Sequence, residues 1–434
     1  MSTENIACHC CDLLIEMPAL EPGSKAICPR CGHQISSATH NPIDKASAFA
    51  FSALLFLLLS LPFPFMAFQS QGREQQVSLI TSSYDLFTLG FPLLAILLSV
   101  FILLIPALLL SAYLCVLIPL RLDKVHKLSF LLTRFIVSLH PWGMAEVFLI
   151  GVLVSLVKIA GMADIVIGMS FWAYVLFSLS LIATITTIDK MQLWSALDSA
   201  NRIQRSSSRH LPRSATALQH NLQSCHCCGL IHPLEAKRCQ RCHKNLHPRI
   251  PFSLQKTWAY LITGIILYIP ANLYPIMHTR LLGSDEPSTI LGGVVLLWQH
   301  GSYPIALIVF IASILVPIAK MLALLWLAYS VQADHQHRIE ERVWMYRMTE
   351  LIGRWSMIDV FVVAVLVALV QLGGLINIVP GIAVTAFAAV VIFTMLSALS
   401  FDPRLIWDNL TSQEKSAVQQ GTEPLNDLMD DVRQ

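Results

Sequence analysis

Long apolar runs separated by short polar segments organise this chain. Averaged over a window of about 19 residues, the hydrophobic positions fall into eight blocks, at roughly 46–67, 91–118, 142–160, 166–188, 257–277, 303–329, 356–376 and 378–399. Each is long enough to cross a hydrocarbon layer of about 30 Å, which takes about 20 helical residues. A spanning segment must satisfy its own backbone hydrogen bonds, so helices are the predicted form. The blocks at 91–118 and 303–329 are too long and too continuously apolar for core helices of a soluble protein. Pro62 and Pro64, and again Pro270 and Pro275, fall in the last turns of the first and fifth blocks, where proline kinks or ends a helix. The moderately apolar segments 77–90 and 288–301 come next, bounded by Gly90 and Gly301. They predict an interfacial or re-entrant helix; the plainer reading is a loop or an extension of the following span.

Composition agrees with this pattern. The chain is 55% hydrophobic and 13% charged, against about 25% charged residues in soluble proteins. A net charge of +2 gives no reason to expect a nucleic-acid partner. The placement of charge says more than its total. Of 29 Lys and Arg, 25 lie in segments 1–45, 119–141, 190–256, 330–355 and 400–434; Arg73 and Arg280 lie in the opposite-side loops, and Lys158 and Lys320 lie within spans. Basic loops stay in the cytoplasm, so both termini and both large loops are predicted to be cytoplasmic. The N-terminus has no apolar run of the kind a cleaved signal peptide needs, which agrees with that orientation.

The chain also repeats itself. Cys28-Pro29-Arg30-Cys31 recurs as Cys239-Gln240-Arg241-Cys242, Pro64-Phe65-Met66 as Pro275-Ile276-Met277, and Pro106 as Pro317, all at an offset of 211. Trp142 to Phe148 (WGMAEVF) recurs as Trp355 to Phe361 (WSMIDVF), and Asp189 and Trp194 recur as Asp402 and Trp407, at an offset of 213. Two copies of one unit follow, each a cysteine knuckle and four spans. An even number of spans gives both copies the same orientation, which makes this a parallel repeat. The predicted organisation is a ribbon at 1–45, a four-span module at 46–190, a polar linker at 191–224, a second ribbon at 225–250, a second module at 251–402 and a tail at 403–434. The fold class is therefore an all-α polytopic membrane protein of eight transmembrane helices in two tandem four-helix modules, each preceded by a small cytoplasmic zinc ribbon.

Each ribbon contains two C-x-x-C turns: Cys8 and Cys11 with Cys28 and Cys31, then Cys225 and Cys228 with Cys239 and Cys242. Four thiolates from two such turns suit tetrahedral zinc. A reducing compartment disfavours structural disulfides. A rubredoxin-like iron site and a redox dithiol are the other readings. Four sulfurs leave no open position, so two structural zinc ions are expected, each supplying the folding energy that a segment of this size lacks. Cys10 and Cys227 are extra thiols within the runs, and spacing alone does not separate them from their neighbours as ligands. Cys115, inside the second block, reads as packing.

Ionisable residues inside spans are costly and mark candidate sites. Lys320 in the sixth block and Asp359 in the seventh are within plausible reach of each other, and Ser313, Ser356 and Thr394 complete a polar cluster. The cluster reads either as a structural ion pair or as a transport or proton-coupling site. In the first copy Glu146 takes the place of Asp359 but Leu109 takes that of Lys320. Lys158, near the outer end of the third block, can snorkel to the interface. The copies have diverged, and the second reads as the working one. The chain has no phosphate-binding glycine loop, no mid-span histidine pair for haem and no outer-side cysteine for thiol oxidation, and it offers no candidate nucleophile, so an enzyme is not expected.

The paired C-x-x-C knuckles, the WGMAEVF run, Gly353 to Phe361 (GRWSMIDVF) and Phe401-Asp402-Pro403-Arg404 together resemble the paraquat-inducible protein A family (PqiA/LetA), closest to the PqiA branch, from Cys8 to about Trp407. The resemblance implies a Gram-negative inner-membrane subunit that moves phospholipid between the membranes. It also implies a periplasmic mammalian-cell-entry (MCE) domain partner of the PqiB type and an outer-membrane lipoprotein of the PqiC type. It carries the eight knuckle cysteines over as metal ligands, and Ser313, Lys320, Ser356, Asp359 and Thr394 as polar residues that matter. A non-transporting anchor that recruits the MCE protein and senses cytoplasmic metal or redox state is the alternative expectation.

Overall fold

The fold was established from a computed structural model, which describes residues 4–17, 20–70, 73–88, 90–159, 164–201, 216–281, 284–299, 301, 303–333, 339–369, 371–372 and 376–408. The protein is mostly helical. Among the described residues, six helices are long and apolar enough to cross a membrane: Pro42–Leu59, Pro92–Arg121, Lys127–Leu156, Met169–Thr187, Ala306–Gln332 and Ile382–Asp408. They account for six of the eight expected spans. The fifth block forms the helix Ser253–Leu273, where Ser253, Gln255, Lys256 and Asn272 dilute the apolar character. The seventh forms Ile358–Leu369, whose 12 residues cover about 18 Å at 1.5 Å per residue, short of a full crossing. Large apolar side chains such as Phe51, Leu58, Ile266 and Leu322 lie exposed along these helices, as lipid-facing residues do.

The expectation of an all-α chain needs correction, because among the described residues five small antiparallel sheets accompany the helices. Three belong to the cysteine ribbons. The other two cap the opposite end. Met66–Ser70 pairs with Arg73–Val77 and with Asp164–Ile167, and Met277–Leu281 pairs with Ser284–Ser288 and with Ile376–Pro380. These strands are short, and they lie at the edges of apolar blocks, so hydropathy averaging absorbed them. Gly168 and Gly381 lead each returning strand into its helix. A Cβ on either would lie 2.0 Å from the carbonyl oxygen of Pro64 or Pro275, so the backbones can approach this closely only at glycine.

The two halves share one order of elements. Segments 77–90 and 288–301 contain the helices Leu79–Thr88 and Ile290–Gln299, which end before Gly90 and Gly301, both with positive φ. The next helix in each half carries a π-helical turn, Val100–Leu104 or Ile311–Leu315, just before Pro106 or Pro317. Proline lacks an N–H and crowds the carbonyl four residues earlier; a wider turn relieves both. The halves meet where Ala145–Ile159 packs on Ile358–Leu369. Phe148 and Phe361, equivalent at the 213 offset, face each other edge to face with ring centroids 5.7 Å apart. A residue touching its own counterpart marks a local two-fold axis. Gly151 sits in that contact, and a Cβ there would lie 3.2 Å from Phe361 Cβ.

The ribbons are crossed between the halves. Cys8, Cys10, Cys11, Leu13 and Cys28 share a core with Leu327, Val331, Val343, Phe401, Ile406 and Trp407 of the second half. The second ribbon instead packs on Lys190–Ala200, which closes the first half: Arg241 forms a buried ion pair with Asp198, and Lys190 Nζ donates to the His226 carbonyl at 2.9 Å. Arg30, the counterpart of Arg241, lies over the ring of Trp407, with its guanidinium carbon 4.4 Å from the centroid. Each ribbon thus rests on the end of the half that does not follow it in sequence.

Candidate metal centres and a buried polar site

The four knuckles share one turn. The backbone amide after each second cysteine donates to the carbonyl of the first: Asp12 to Cys8 at 2.9 Å, Gly32 to Cys28 at 2.9 Å, Gly229 to Cys225 at 2.8 Å and His243 to Cys239 at 3.0 Å. All four donors have φ between 56° and 74°, left-handed values that glycine takes freely and Asp and His tolerate. This turn brings both cysteines of a knuckle to one point. The sulfurs of Cys8, Cys11, Cys28 and Cys31 lie within 4.8 Å of one another, as do those of Cys225, Cys228, Cys239 and Cys242. The closest cross-knuckle pairs are 3.6 Å apart in the first ribbon and 3.4 Å in the second. A tetrahedron with metal–sulfur bonds of about 2.3 Å has edges of about 3.8 Å, so both groups suit one four-coordinate metal ion. Cys10 and Cys227 are buried but stand outside both four-sulfur groups.

Sequence reasoning passed over two histidines. His232 Nε2 lies 3.3 Å from Cys239 Sγ, and the Arg241 amide donates to the same sulfur at 3.4 Å. Donors of this kind orient and tune a ligating thiolate. His226 packs edge-on against His9, with centroids 5.9 Å apart, where the ribbons abut. Arg404 Nη2 lies 2.9 Å from His226 Nε2. A guanidinium only donates, so this nitrogen accepts and the ring is neutral. Burial, with the nearby Arg404 charge, agrees by pushing His226 down to about 4; burial likewise pushes His9 down to about 3.

The polar cluster lies in the second half. Lys320 is 3% exposed, and its Nζ donates to Thr394 Oγ1 at 3.1 Å. Its ammonium also lies 3.5 Å from where a Cβ on Gly353 would stand, so glycine leaves the space it occupies. Ser313 is buried in the π-helical turn, four residues before Pro317. Ser356 is buried and donates to the Ile352 carbonyl at 3.4 Å. Among the expected residues, Lys320 and Thr394 are thus in direct contact. The side chains of Asp359 and Lys158 lie outside the described residues. Glu146 stands half-buried in the first turn of Ala145–Ile159.

The first-half counterparts of Ser313, Lys320 and Thr394 are Ile102, Leu109 and Leu181, all buried. The first half has polar groups of its own. Tyr174 and Ser178, one turn apart, are buried with hydroxyls that have no partner among the described residues, where the second half has Phe387 and Val391. The sequence could not single these out, because a tyrosine and a serine in an apolar block carry no charge signal.

The model of the family "Paraquat-inducible protein A" matches this chain twice, over residues 43–198 and 254–411, leaving both ribbons outside the matched segments. The chain belongs to that family. It is 42% identical over 413 residues to "Intermembrane transport protein PqiA" of Escherichia coli K12, which covers 95% of this chain and 98% of the relative. The Shigella flexneri protein of the same name matches equally well. "Lipophilic envelope-spanning tunnel protein A" of Escherichia coli K12 is 29% identical over 92% of this chain and 90% of its own length. No solved structure matches. Family membership and the apolar helices make this a multi-pass membrane protein of a transport family.

Proposed function

We propose that this protein is the inner-membrane subunit of an intermembrane lipid transport system, loading phospholipid onto, or receiving it from, a periplasmic MCE-domain tunnel. An outer-membrane lipoprotein would complete the system. In this reading the chain forms two tandem four-span modules with both termini and both ribbons in the cytoplasm, and the ribbons hold one structural zinc ion each. The observation that carries the reading is Lys320, an ammonium buried within an apolar bundle and held by Thr394. Its position in the first half is filled by leucine, so helix packing alone does not require it. Burying such a charge at membrane depth costs about 2.5–3.5 kcal/mol on insertion scales, which favours a working role. Ser313, Ser356 and Asp359 would extend the polar path. Protonation of Asp359 or Lys320 is the candidate coupling step, with Glu146 and Lys158 as the corresponding groups of the first half.

The test is lipid transfer by the reconstituted system with Lys320→Ala, Thr394→Val and Asp359→Asn, each at wild-type abundance. Transfer is expected to fall at least tenfold for Lys320→Ala and less for Thr394→Val. Wild-type rates for Lys320→Ala and Asp359→Asn would remove the polar cluster from the mechanism. They would favour an anchoring protein whose buried spare thiols, Cys10 and Cys227, sit beside metal sites.

A further inference from the structure

The helix Ile339–Trp355 meets the first ribbon near its start and the polar cluster near its end. Its 17 residues cover about 25 Å at about 1.5 Å per residue. Val343 is buried in one core with Cys8, Cys10, Cys11 and Cys28, and Ile339 and Tyr346 pack against that core. Arg347 Nη2 donates to the Cys31 carbonyl at 2.5 Å, and its Nη1 lies 3.9 Å from where a Cβ on Gly32 would stand. Cys31 and Gly32 close the second knuckle of that ribbon, so the guanidinium sits on the turn that presents two of the four sulfurs. Six residues further on, buried Gly353 faces the Lys320 ammonium. At about 100° per residue, Ile339, Val343, Tyr346, Arg347 and Gly353 fall within about 120° of one another. One face of one helix thus runs from the first four-sulfur group to Lys320.

The helix can carry a displacement between these points. Sharp kinks need proline, glycine or an inserted turn, and residues 348–352 (MTELI) contain neither proline nor glycine. A shift at Arg347 therefore reaches Gly353 instead of being absorbed on the way. The ribbon at the other end is ordered by its four sulfurs closing on an ion, because so short a segment has little core of its own. The repeat shows that this arrangement is particular to the second half. Gly353 corresponds to His140 and Arg347 to exposed Arg134 at the 213 offset, and Lys320 corresponds to Leu109 at 211. Where no ammonium is buried, the glycine that makes room for it is missing too. The second ribbon rests on Lys190–Ala200 and meets the second half at Arg404, which makes it the internal control.

We propose that Arg347 is a positioning residue that couples the first ribbon to the Lys320 site: it fixes the helix Ile339–Trp355 to the knuckle at Cys31, and the helix in turn holds Gly353 against the ammonium. The coupling itself is structural; only its effect on lipid transfer rests on the function proposed above.

The test is hydrogen exchange followed by mass spectrometry on a peptide covering 349–357 of the full-length, metal-loaded protein in detergent, with bound metal counted by elemental analysis. Arg347→Gln should retain two ions per chain and accelerate exchange in that peptide about tenfold, the scale of one hydrogen bond from a charged group. Arg347→Lys should return it to within about threefold of wild type, since a single bond to a carbonyl does not need the guanidinium fork. Cys11→Ser and Cys228→Ser each leave one ion, but only Cys11→Ser should accelerate the peptide. Coupling is reciprocal, so Gly353→Val, which crowds the Lys320 ammonium far from any cysteine, gives a reading from the other end and decides the matter should Arg347→Gln lose an ion. Added to Cys228→Ser it should hasten release of the remaining first-ribbon ion to a chelator, and added to Cys11→Ser it should leave the second-ribbon ion at its usual rate. Exchange unchanged in a two-ion Arg347→Gln protein, equal acceleration in both cysteine variants, or no effect of Gly353→Val on the first ion overturns the proposal. Transfer by the reconstituted system separates the two readings: accelerated exchange with reduced transfer supports both, and accelerated exchange with wild-type transfer upholds the coupling while removing the Lys320 site from transport.

Discussion

One buried carboxylate gathers several of the contacts at the joint between the ribbon layer and the helices. Asp402 is 1% exposed and accepts four hydrogen bonds: from Arg404 Nε at 3.0 Å, Arg404 Nη2 at 2.9 Å, the Arg404 amide at 3.1 Å and the Ile250 amide at 3.0 Å. Asp402→Ala removes all four acceptors and leaves Arg404, itself 2% exposed, without its main partner. Breaking a buried ion pair from one side costs about 3–5 kcal/mol, and stranding a backbone N–H adds about 1–3 kcal/mol. Asp12 Oδ1 stands 3.9 Å from Arg404 Nη1 and offsets part of this. A net loss of about 3 kcal/mol follows, which is about two orders of magnitude in local opening. Hydrogen exchange followed by mass spectrometry, on peptides covering 250–257 and 400–408, should show that acceleration relative to wild type. The paired change Asp402→Leu with Arg404→Met removes the charges together and should recover part of the protection, since apolar replacement of a buried pair is often neutral while the Ile250 and Arg404 amides stay without their acceptor. Less than threefold acceleration for Asp402→Ala, or a double variant worse than the single, would refute this account of the joint.

Three further outcomes follow from the geometry. Cys11→Ser and Cys228→Ser should each lower bound metal from two ions to one per chain by elemental analysis, whereas Cys10→Ala and Cys227→Ala should leave two, because those sulfurs stand outside the four-sulfur groups. Gly381→Ala places a Cβ against the Pro275 carbonyl and should destabilise the protein by about 1–3 kcal/mol, as overpacking does, read as a lower melting temperature in detergent; Gly168→Ala should match it in the other half. Phe148→Ala and Phe361→Ala should couple by about 0.5–1.5 kcal/mol in a double-mutant cycle, because each ring is the other's partner across the local two-fold axis.

Much of this protein is legible in its sequence, for physical reasons that differ by element. A membrane span is a local property: twenty apolar residues are visible without knowing what they touch, and most of the spans emerged that way. A four-sulfur site is nearly local, since each knuckle is a closed turn and the two knuckles of a ribbon are separated by only 16 or 10 residues. What the sequence could not carry depends on chain segments far apart. The strands at the end away from the ribbons pair residues about 100 apart, such as Met66 with Ile167 and Met277 with Pro380, and no window reaches that far. The crossing of the ribbons is likewise invisible, because Arg30 and Trp407 stand at opposite ends of the chain.

The repeat gives sequence and structure a common frame in which each half serves as a reference for the other. Where the halves touch, equivalent residues are alike, as with Phe148 and Phe361, and the contact follows a two-fold axis. Inside the bundles they differ, and in both directions: Leu109 and Leu181 stand against Lys320 and Thr394, and Tyr174 and Ser178 stand against Phe387 and Val391. A scaffold alone would have no need of this pattern, since two apolar bundles would pack as well. The comparison of halves therefore separates the packing contacts the halves share from the polar groups particular to one half. The first half has buried polar groups of its own, and they escape a reading of the sequence because a lone charge is conspicuous there and a buried hydroxyl is not.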